Sequence, residues 1–409
     1  MTSLGGAVRD ARRLRIAFVY DALYPFVSGG AERRYHELGK RLADRHDVHF
    51  FSWRYGGEPR ASTSTEVRAG ITHHFVGEAR PFYGADGRRT IREAMAFAAR
   101  LLPSLGRCGF DVVDASATPY LPIYAAWLAT RLTRTPLVAT WHEYWGPRWS
   151  EYLANRPVVA RLARLGEAGA RPFADVRVAV SAMTARRIGH EVQVVENGVD
   201  VARIQGAQPD ALRADVIHLG RLIEEKRVDL VLHAVRLLVA QRPDLRCAIV
   251  GDGPERLRLE ALAGTLGIER NVSFLGHVPD DRVPRLLRAS RTLALPSERE
   301  GFGISVVEAQ AAGSVPVVTR NPFSAAPELI RDGEDGLLCD PTPSALANAL
   351  ATLLDDEAGR RRMAGAAVLS AGHRSWDGRA LEMEALYQRV AERRHREGPL
   401  SRLRVAARP

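Results

Sequence analysis

The stretch Pro296–Val318, PSEREGFGISVVEAQAAGSVPVV, carries the densest set of signals in this chain. It leaves a strand candidate, Thr292–Leu295, passes through a Gly-Phe-Gly loop and a helix candidate, and enters a second strand candidate, Val315–Val318. Strand, helix and strand in this order predict a βαβ unit of a parallel sheet. Two carboxylates, Glu300 and Glu308, lie eight positions apart, and we expect the first on the loop and the second about a turn inside the helix.

The loop before that helix has the chemistry of a ligand site. The first amides of a helix lack backbone partners and therefore attract an anionic or hydroxyl-rich ligand. Gly301 and Gly303 let the backbone approach that ligand, since neither carries a Cβ atom. Amides flanked by Glu300 and Glu308 suit a sugar attached to a nucleoside, which presents hydroxyls at two separate places. A surface loop capped by acids is the alternative that the spacing leaves open.

Size and composition favour a soluble protein of two domains. The 409 residues exceed one ordinary core, and the apolar fraction of 46% and charged fraction of 26% are typical of globular proteins. The net charge of +10 comes mainly from arginine, because only Lys40 and Lys226 among the 58 basic residues are lysines. A basic face attracts phosphorylated substrates or an anionic membrane, so peripheral association with the inner membrane face is one expectation. No nucleic-acid recognition module is visible.

Cysteine usage and hydropathy indicate the cytoplasm. Cys108, Cys247 and Cys339 are odd in number and lack metal-ligand spacing, which is typical of a reducing compartment. Residues 1–15 carry charge without an apolar run, so we expect no signal peptide. The sequence has no run of 18 uncharged apolar residues, so we expect no membrane-spanning helix. We also expect no bound metal, since no cluster of histidine, cysteine and carboxylate residues has ligand spacing.

In both halves of the chain, short apolar runs rich in branched residues alternate with longer segments that have helical periodicity. This alternation predicts an α/β protein of two doubly wound, Rossmann-like domains with parallel sheets. Ligands of such domains bind at the carboxyl ends of strands, so a central cleft between facing domains is the expected site. The expected division is an N-terminal domain at 1–200, a linker at 201–213, a C-terminal domain at 214–373, an amphipathic helix at 374–396 and a basic, disordered tail at 397–409.

A second signal is Gly220–Lys226, GRLIEEK, which directly follows the strand candidate Val216–Leu219. Arg221 and Lys226 should therefore lie at the carboxyl edge of the sheet, beside the cleft. Two cations there can hold a diphosphate, with Arg forking two oxygens and Lys acting as a point charge. They would be catalytic as well as binding, because positive charge stabilises a diphosphate as it leaves a sugar. A surface pair bridged to the neighbouring glutamates is the alternative.

A glycine-rich turn and a histidine follow two strand candidates of the first half. Gly29 and Gly30 come after Arg15–Tyr20, and their amides can meet the diphosphate or an acceptor, although many such turns only bend the chain. His142 follows Leu137–Thr140 and can donate to a sugar hydroxyl or orient an acceptor, with a structural histidine as the alternative. Aromatic residues beside it either stack on a sugar or acceptor or pack the loop, and they are Trp141, Tyr144, Trp145, Trp149 and Tyr152.

Five motifs together, PSEREGFGISVVEA, GRLIEEK, VVENGVD, GDGP and SGGAE, resemble the retaining glycosyltransferases of family GT4. The resemblance runs from Phe18 to about Tyr387 and so spans nearly the whole chain. It implies the GT-B fold, with an acceptor-side first domain and a nucleotide-sugar-binding second domain. It also implies retention of anomeric configuration, catalysis without a bound metal, and a terminal helix, Ser375–Val390, that crosses back to the first domain.

The resemblance implies donor contacts in the second domain. Arg221 and Lys226 match the pair that grips the donor diphosphate. Glu308 matches the acid that holds the ribose hydroxyls, and Glu300 matches a contact to the donor sugar. The backbone amides after Glu300 match further sugar contacts, and they belong to Gly301, Phe302 and Gly303.

In the first domain the resemblance implies contacts to both substrates. Gly30 matches a glycine near the diphosphate and the acceptor, and His142 matches a histidine that touches the donor sugar and supports the transition state. Gly29 and Tyr144 beside them complete the expected acceptor-side residues. One departure is Ser324–Ile330, SAAPELI, where the family has two glycines before an acid, so a stiffer loop is expected there.

These signals predict a glycosyltransferase that moves a hexose or hexosamine to an acceptor hydroxyl of a glycan, a lipid-linked molecule or a secondary metabolite. The expected co-substrate is a nucleoside diphosphate sugar, for which UDP is favoured over GDP, and no other cofactor is expected. No carboxylate is placed as a covalent nucleophile, so we expect same-face substitution through an oxocarbenium-like state. Two alternatives are a sugar-nucleotide epimerase of the same architecture and a non-catalytic subunit that binds nucleotide sugar.

Overall fold

The computed structural model describes residues 12–27, 29–56, 64–79, 91–154, 156–189 and 191–396. The strands in these ranges are β1 (Arg15–Val19), β2 (Asp47–Arg54), β3 (Ser64–Arg68), β4 (Ile71–Glu78), β5 (Val112–Ser116), β6 (Leu137–Trp141), β7 (Val176–Ala179), β8 (Val192–Val194), β9 (Ala214–Leu219), β10 (Cys247–Val250), β11 (Val272–Gly276), β12 (Ser290–Leu295), β13 (Val315–Thr319) and β14 (Leu337–Cys339). The α-helices are α1 (Gly30–Ala43), α2 (Ile91–Gly106), α3 (Leu121–Thr133), α4 (Trp149–Tyr152), α5 (Pro157–Ala170), α6 (Ala182–Ile188), α7 (Val201–Gly206), α8 (Val228–Val239), α9 (Arg256–Thr265), α10 (Arg282–Arg288), α11 (Ile304–Ala312), α12 (Pro343–Asp355), α13 (Glu357–Gly372) and α14 (Trp376–Arg396).

The chain divides into two compact units. The first unit comprises Met1–Ala179, Arg187–Val195 and Arg379–Pro409, and the second comprises Val180–Arg186 and Glu196–Gly378. Each unit contains one parallel or mainly parallel sheet with helices between its strands, so the prediction of two doubly wound α/β domains is confirmed.

The first unit is built on an eight-stranded sheet of order β3-β4-β2-β1-β5-β6-β7-β8. Its neighbouring strands pair in parallel except β3 and β4, which form an antiparallel hairpin at the edge. Strands β5 and β6 are buried at every residue, as expected for a parallel sheet covered by helices. The hairpin was not predicted from the sequence, because β3 reads STEVR and none of its residues is buried.

A buried carboxylate in the first unit ties its sheet to the last helix. Asp114 on β5 accepts hydrogen bonds from Tyr387 of α14 at 2.6 Å, from Thr140 of β6 at 2.8 Å and from Tyr35 of α1 at 3.2 Å. Burial raises the pKa of Asp114, and these hydrogen bonds act in the opposite direction. The residues of α14 from Arg379 onward therefore belong to the first unit.

The second unit is built on a six-stranded sheet of order β11-β10-β9-β12-β13-β14, parallel throughout its described pairs. The expected linker at 201–213 differs from the observed division, because α7 lies within it and belongs to the second unit. Asp200 caps α7 by accepting from the amide of Arg203 at 3.1 Å, and Ile204 is buried in the core of the second unit. The expected disordered tail at 397–409 lies outside the described residues.

Candidate active site

The loops after two neighbouring strands of the second unit are linked by a hydrogen bond between their backbones. Strands β9 and β12 pair in parallel, so both loops leave the same edge of the sheet. The amide of Glu298, after β12, donates to the carbonyl of Glu225, after β9, at 2.8 Å. Lys226 ends the 3₁₀ turn Glu224–Lys226 in the first of these loops. The sheet edge therefore brings together side chains that are about 75 residues apart in the sequence.

Lys226 and Glu300 form an ion pair at this edge. The Lys226 Nζ atom lies 2.5 Å from the Glu300 Oε1 atom, and the two side chains are only 17% and 13% exposed. Burial by itself would raise the pKa of Glu300, but the charge and hydrogen bond of Lys226 outweigh it and lower that pKa below its usual value. Glu300 is therefore an anion at neutral pH, and Lys226 is held in one place by it.

The loop that carries Arg221 is fixed by the GDGP segment after β10. The amide of Leu222 donates to the carbonyl of Asp252 at 2.9 Å. Gly251 has a φ of +130°, and a Cβ atom there would lie 1.8 Å from the carbonyl oxygen of Gly220. A Cβ atom at Gly253 would lie 2.3 Å from the carbonyl oxygen of Leu222. These glycines therefore allow two loops to touch through their backbones, a role that was not predicted from the sequence.

A buried imidazole lies next to Lys226 and was not predicted as a site residue. The His218 Nδ1 atom lies 3.0 Å from the carbonyl oxygen of Ala294, and since a carbonyl only accepts, Nδ1 carries the proton. Its Nε2 atom has no hydrogen-bond partner among the described residues. A Cβ atom at Gly220 would lie 3.4 Å from this Nε2 and 3.9 Å from the Lys226 Cε atom. Burial lowers the pKa of His218 to about 4, against the effect of its bond to Ala294, so the ring is neutral.

The Gly-Phe-Gly loop, Gly301–Gly303, leads into the start of α11. Gly303 precedes the helix in the left-handed region at φ 105°, and no side chain caps the first turn. Phe302 is 4% exposed and packs in the core of the second unit, so it anchors the loop. Glu308 lies inside α11 and is 5% exposed. Gly301 is half-buried, whereas Arg221 is exposed after β9.

The segment Ser324–Ile330, for which the sequence predicted a stiffer loop, packs against the same loop. The amide of Ala325 donates to the carbonyl of Glu300 at 2.9 Å, and the amide of Glu300 donates to the carbonyl of Phe323 at 3.3 Å. A Cβ atom at Gly303 would lie 3.1 Å from the Cβ atom of Ala326. The Glu328 carboxylate accepts from the amide of Met183 at 3.0 Å, so it is directed toward the first turn of α6. The backbone of Ala325 therefore supports the loop around Glu300, and Ala326 lies close to Gly303.

The glycine turn of the first unit begins α1. Gly29 is the N-cap residue of that helix and has extended backbone, and Gly30 is its first residue. A Cβ atom at Gly29 would lie 2.5 Å from the Glu32 Oε2 atom. The other carboxylate oxygen of Glu32, Oε1, accepts a hydrogen bond from the Tyr20 hydroxyl at 3.1 Å. Ser28 lies outside the described residues. The turn thus places two backbone amides beside an acidic side chain.

His142 follows β6 in the first unit, and its environment keeps it uncharged. Its ring lies 5.7 Å from that of Tyr35 and 6.2 Å from that of Tyr20, measured between centroids. Both ring nitrogens are buried without a hydrogen-bond partner among the described residues. Burial, with a smaller effect from the nearby Arg34, lowers the pKa of His142 to about 3. A buried imidazole with two unused nitrogens is able to donate to one ligand atom and accept from another.

The aromatic residues after His142 pack mainly against one another. Trp145 and Trp149 stack at 5.0 Å between centroids, and Tyr152 lies 4.7 Å from Trp145. Glu167 of α5 holds this loop by accepting from the amides of Trp145 at 2.8 Å and Gly146 at 2.6 Å. Packing therefore accounts for their spacing. Tyr144 is half-buried, and burial raises the pKa of its hydroxyl.

Within the described residues, no group of three histidine, cysteine or carboxylate side chains is placed to hold a metal ion. None of the helices in those ranges is long and apolar enough to cross a bilayer.

Family models match both units. Residues 206–368 match the model of glycosyl transferases group 1, and residues 28–203 match that of glycosyltransferase family 4. The D-inositol 3-phosphate glycosyltransferase of Corynebacterium efficiens is 30% identical over 333 residues, which cover 75% of this chain and 78% of that protein. The chain therefore belongs to the group 1, or family 4, glycosyltransferases. It is a glycosyltransferase of the GT-B type.

The chain is also similar to a second curated enzyme and to solved structures. A glycogen synthase of Mycobacterium tuberculosis is 29% identical over 381 residues, which cover 87% of this chain and 89% of that protein. The structure of sucrose-phosphate synthase from Thermosynechococcus elongatus has a TM-score of 0.77 at 19% identity, covering 93% of this chain and 100% of that one. The structure of Anabaena HepE in complex with UDP and glucose has a TM-score of 0.70 at 22% identity, covering 91% and 99%. The GT-B fold expected from the sequence is thus confirmed.

Proposed function

We propose that this glycosyltransferase moves a hexose or hexosamine from a UDP-linked sugar to an acceptor hydroxyl, with retention of the anomeric configuration. The observation that carries the proposal is the Lys226–Glu300 pair beside the uncapped start of α11. A fixed cation, an anion and a helix start without a side-chain cap, at one sheet edge, provide complementary contacts for a diphosphate and for sugar hydroxyls.

The second unit would bind the donor. We assign the diphosphate to Arg221 and Lys226, and the ribose hydroxyls to Glu308. Glu300 and the amides of the following loop would contact the sugar, and this loop is Gly301, Phe302 and Gly303. Since Glu300 already neutralises Lys226, the diphosphate gains most from this cation when the sugar bond breaks and negative charge grows on the leaving oxygen.

The proposed chemistry is a same-face substitution. The bond between the anomeric carbon and the diphosphate oxygen breaks, and the acceptor oxygen forms a new bond to that carbon. The acceptor proton passes to an oxygen of the leaving diphosphate. Arg221 and Lys226 would stabilise that leaving group, and no metal or other cofactor is required in this scheme.

The first unit would supply the remaining contacts. Gly29 and Gly30 would offer amides to the diphosphate or the acceptor, and Tyr144 would border the acceptor. His142 would meet the donor sugar as a neutral imidazole, because its pKa lies near 3. A neutral ring adds no positive charge beside the oxocarbenium-like state, which suits a hydrogen-bonding role.

Donor identity is tested by thermal shift with UDP-glucose, UDP-N-acetylglucosamine, ADP-glucose and GDP-mannose. A ligand at 100 times its Kd stabilises the protein by about 2.7 kcal/mol, which is readily measured. We expect the UDP sugars to raise the melting temperature most. A rise with GDP-mannose alone would overturn the choice of base.

The reaction is tested with the best donor and a panel that contains D-inositol 3-phosphate, oligoglucans and polyprenyl phosphates. The relatives named above suggest the first two acceptor types. Proton NMR of the product should show the same anomeric configuration as the donor, and an inverted product would contradict retention. Interconversion of the donor alone would favour an epimerase, and binding without turnover on any acceptor would favour a non-catalytic subunit.

A further inference from the structure

Exposed apolar side chains concentrate on one group of helices in the first unit. Helices α2, α3 and α5 carry most of the large apolar residues that are exposed in the described part of this unit. These residues are Ile91, Met95, Leu121, Leu128, Leu132, Val158, Leu162 and Leu165. In the second unit, by contrast, such residues are isolated on separate helices, namely Leu237, Leu257 and Leu369. Scattered exposed apolar residues need no explanation, whereas a cluster of them does.

The spacing on α5 directs its apolar residues away from the core. Val158, Leu162 and Leu165 follow one another at intervals of four and three, so they form one line along the helix. They are 71%, 62% and 59% exposed. The opposite side of α5 is buried, through Ala160 and Glu167. The outermost line of this helix is therefore apolar, the reverse of an ordinary surface helix.

Helix α3 repeats this arrangement beside α5. Leu121, Leu128 and Leu132 are spaced by seven and four residues and also form one outward line. The Tyr124 hydroxyl of α3 donates to the carbonyl of Gly166 of α5 at 2.7 Å, so the two helices are in contact. The connections β4-α2-β5, β5-α3-β6 and β6-α5-β7 all advance in the same direction across the sheet. Right-handed crossovers therefore place the three helices on one face of that sheet.

The exposed charged side chains of these three helices are all positive. Their arginines are all exposed, and they are Arg92, Arg100, Arg131, Arg161 and Arg164. Their two carboxylates are buried and engaged, Glu93 by the indole of Trp53 and Glu167 by the loop amides described above. Arg131 pairs with Asp175 just beyond the layer, at 3.1 Å. The exposed surface of α2, α3 and α5 thus combines apolar side chains with positive charge.

We propose that the α2-α3-α5 face docks on an anionic lipid bilayer. Outward leucine and valine side chains would enter the boundary between headgroups and acyl chains, as in helices that lie in a membrane interface. The arginines beside them would meet lipid phosphates, since their long side chains reach the headgroup level while their stems cover apolar surface. This proposal is independent of the donor and acceptor assignments, because it uses none of the residues placed in the active site.

The test is flotation of the full chain with liposomes of phosphatidylcholine containing 30% phosphatidylglycerol, compared with phosphatidylcholine alone. The wild-type chain should float with the anionic liposomes and lose that binding as salt is raised, because the attraction is screened. The double variant Leu162→Glu, Leu165→Glu should bind at least about tenfold more weakly. Arg161→Ala with Arg164→Ala should lower binding by about fivefold for each charge.

The matched control is Leu257→Glu with Leu369→Glu, which places the same change on exposed sites of the second unit. It should float like the wild type. Circular dichroism and turnover of a soluble acceptor should be unchanged in all three variants, so a loss of flotation is not a loss of folding. If the Leu162→Glu, Leu165→Glu variant floated as well as the wild type, the proposal would be overturned. A protein that does not float, but forms a dimer that this variant dissociates, would overturn it in favour of self-association.

Discussion

At the scale of single residues, the mostly buried Lys226–Glu300 ion pair is the main feature of the candidate site in the second unit. Two charged groups that are more than four-fifths buried lose most of their hydration, and each compensates the other. The pair keeps the lysine near one position before a ligand binds, which lowers the ordering cost of binding. Under the proposed function, Lys226 acts at the moment when the diphosphate leaves.

Replacement of Lys226 should therefore affect catalysis more than folding. We expect Lys226→Ala to lower turnover by on the order of 10²–10³, because a cation at the leaving group is lost. Arg221→Ala should act in the same direction. Steady-state kinetics with the donor found by thermal shift measures both. Lys40→Ala is the natural control, since the chain has one other lysine and it lies exposed near the end of α1. Turnover close to wild type in both site variants would contradict the role.

Glu300 should make stability depend on pH. Its folded pKa lies below the ordinary value of 4.5, so its contribution is complete above about 4.5 and is lost as the pH falls through the lower folded pKa. Glu300→Gln should thus be less stable than wild type at pH 7, and the difference should shrink toward pH 3.

Urea unfolding at both pH values measures this change. Glu269→Gln is the control, because it makes the same change at an exposed carboxylate. A constant difference between wild type and Glu300→Gln from pH 7 to pH 3 would exclude the assigned cause.

At the scale of elements, the site depends on loops that follow strands and touch through their backbones. The two loops after β9 and β10 approach so closely that only glycine fits at the contact. Strand pairing sets this distance, because β9 and β10 are neighbours in the sheet. The contact between these two loops is thus set by the pairing of the strands from which they leave.

Gly251→Ala tests that contact. The new methyl group would meet the Gly220 carbonyl at 1.8 Å and would force an unfavourable φ, so we expect a loss of about 2–3 kcal/mol in stability. Donor affinity, measured by calorimetry with UDP, should fall as well, because the loop of Arg221 must move. Gly365→Ala is the matched control, as its added Cβ meets no atom within 4 Å inside α13. That change should stabilise the protein by about 0.5–1 kcal/mol. If Gly251→Ala kept wild-type stability, the packing argument would fail.

At the scale of the whole molecule, buried histidines link folding to pH. Burial lowers the pKa of His73, His74 and His218 to about 4 and that of His142 to about 3, all below the ordinary value of 6.5. Each ring stays neutral in the folded chain but takes up a proton on unfolding below pH 6.5. The stability that they contribute is therefore complete above about pH 6.5 and is lost as the pH falls toward 4.

The melting temperature should fall as the pH is lowered from 7.5 to 4. If the two units melt in separate transitions, each transition is followed on its own. His218→Asn should reduce the slope, because its amide can replace the Nδ1 donor to Ala294 but does not titrate. His373→Asn is the control, since His373 is exposed. A flat melting temperature across this range would refute the histidine linkage.

The sequence predicted that the terminal helix returns to the first unit, but it did not predict where residues 180–186 and 201–213 belong. Residues 201–213 look like a linker because they are polar, yet α7 lies among them and buries Ile204. Residues 180–186 belong to the second unit, although the first unit continues on both sides of them. Helix α2 runs through Pro103, a residue type that usually ends a helix, because burial of residues such as Leu105 favours continuation. In each case packing of distant segments overrides a local signal.

The sequence alone determined the α/β class, the alternation of strands and helices, and the placement of Arg221, Lys226 and Glu300 directly after strands. These features follow from local periodicity and from the rule that parallel strands share one carboxyl edge. Only the tertiary structure decided that Lys226 meets Glu300 at 2.5 Å and that His218 lies beside them. It also decided that α2, α3 and α5 share a face whose carboxylates are buried. These facts depend on distances between residues far apart in the chain, which periodicity does not encode.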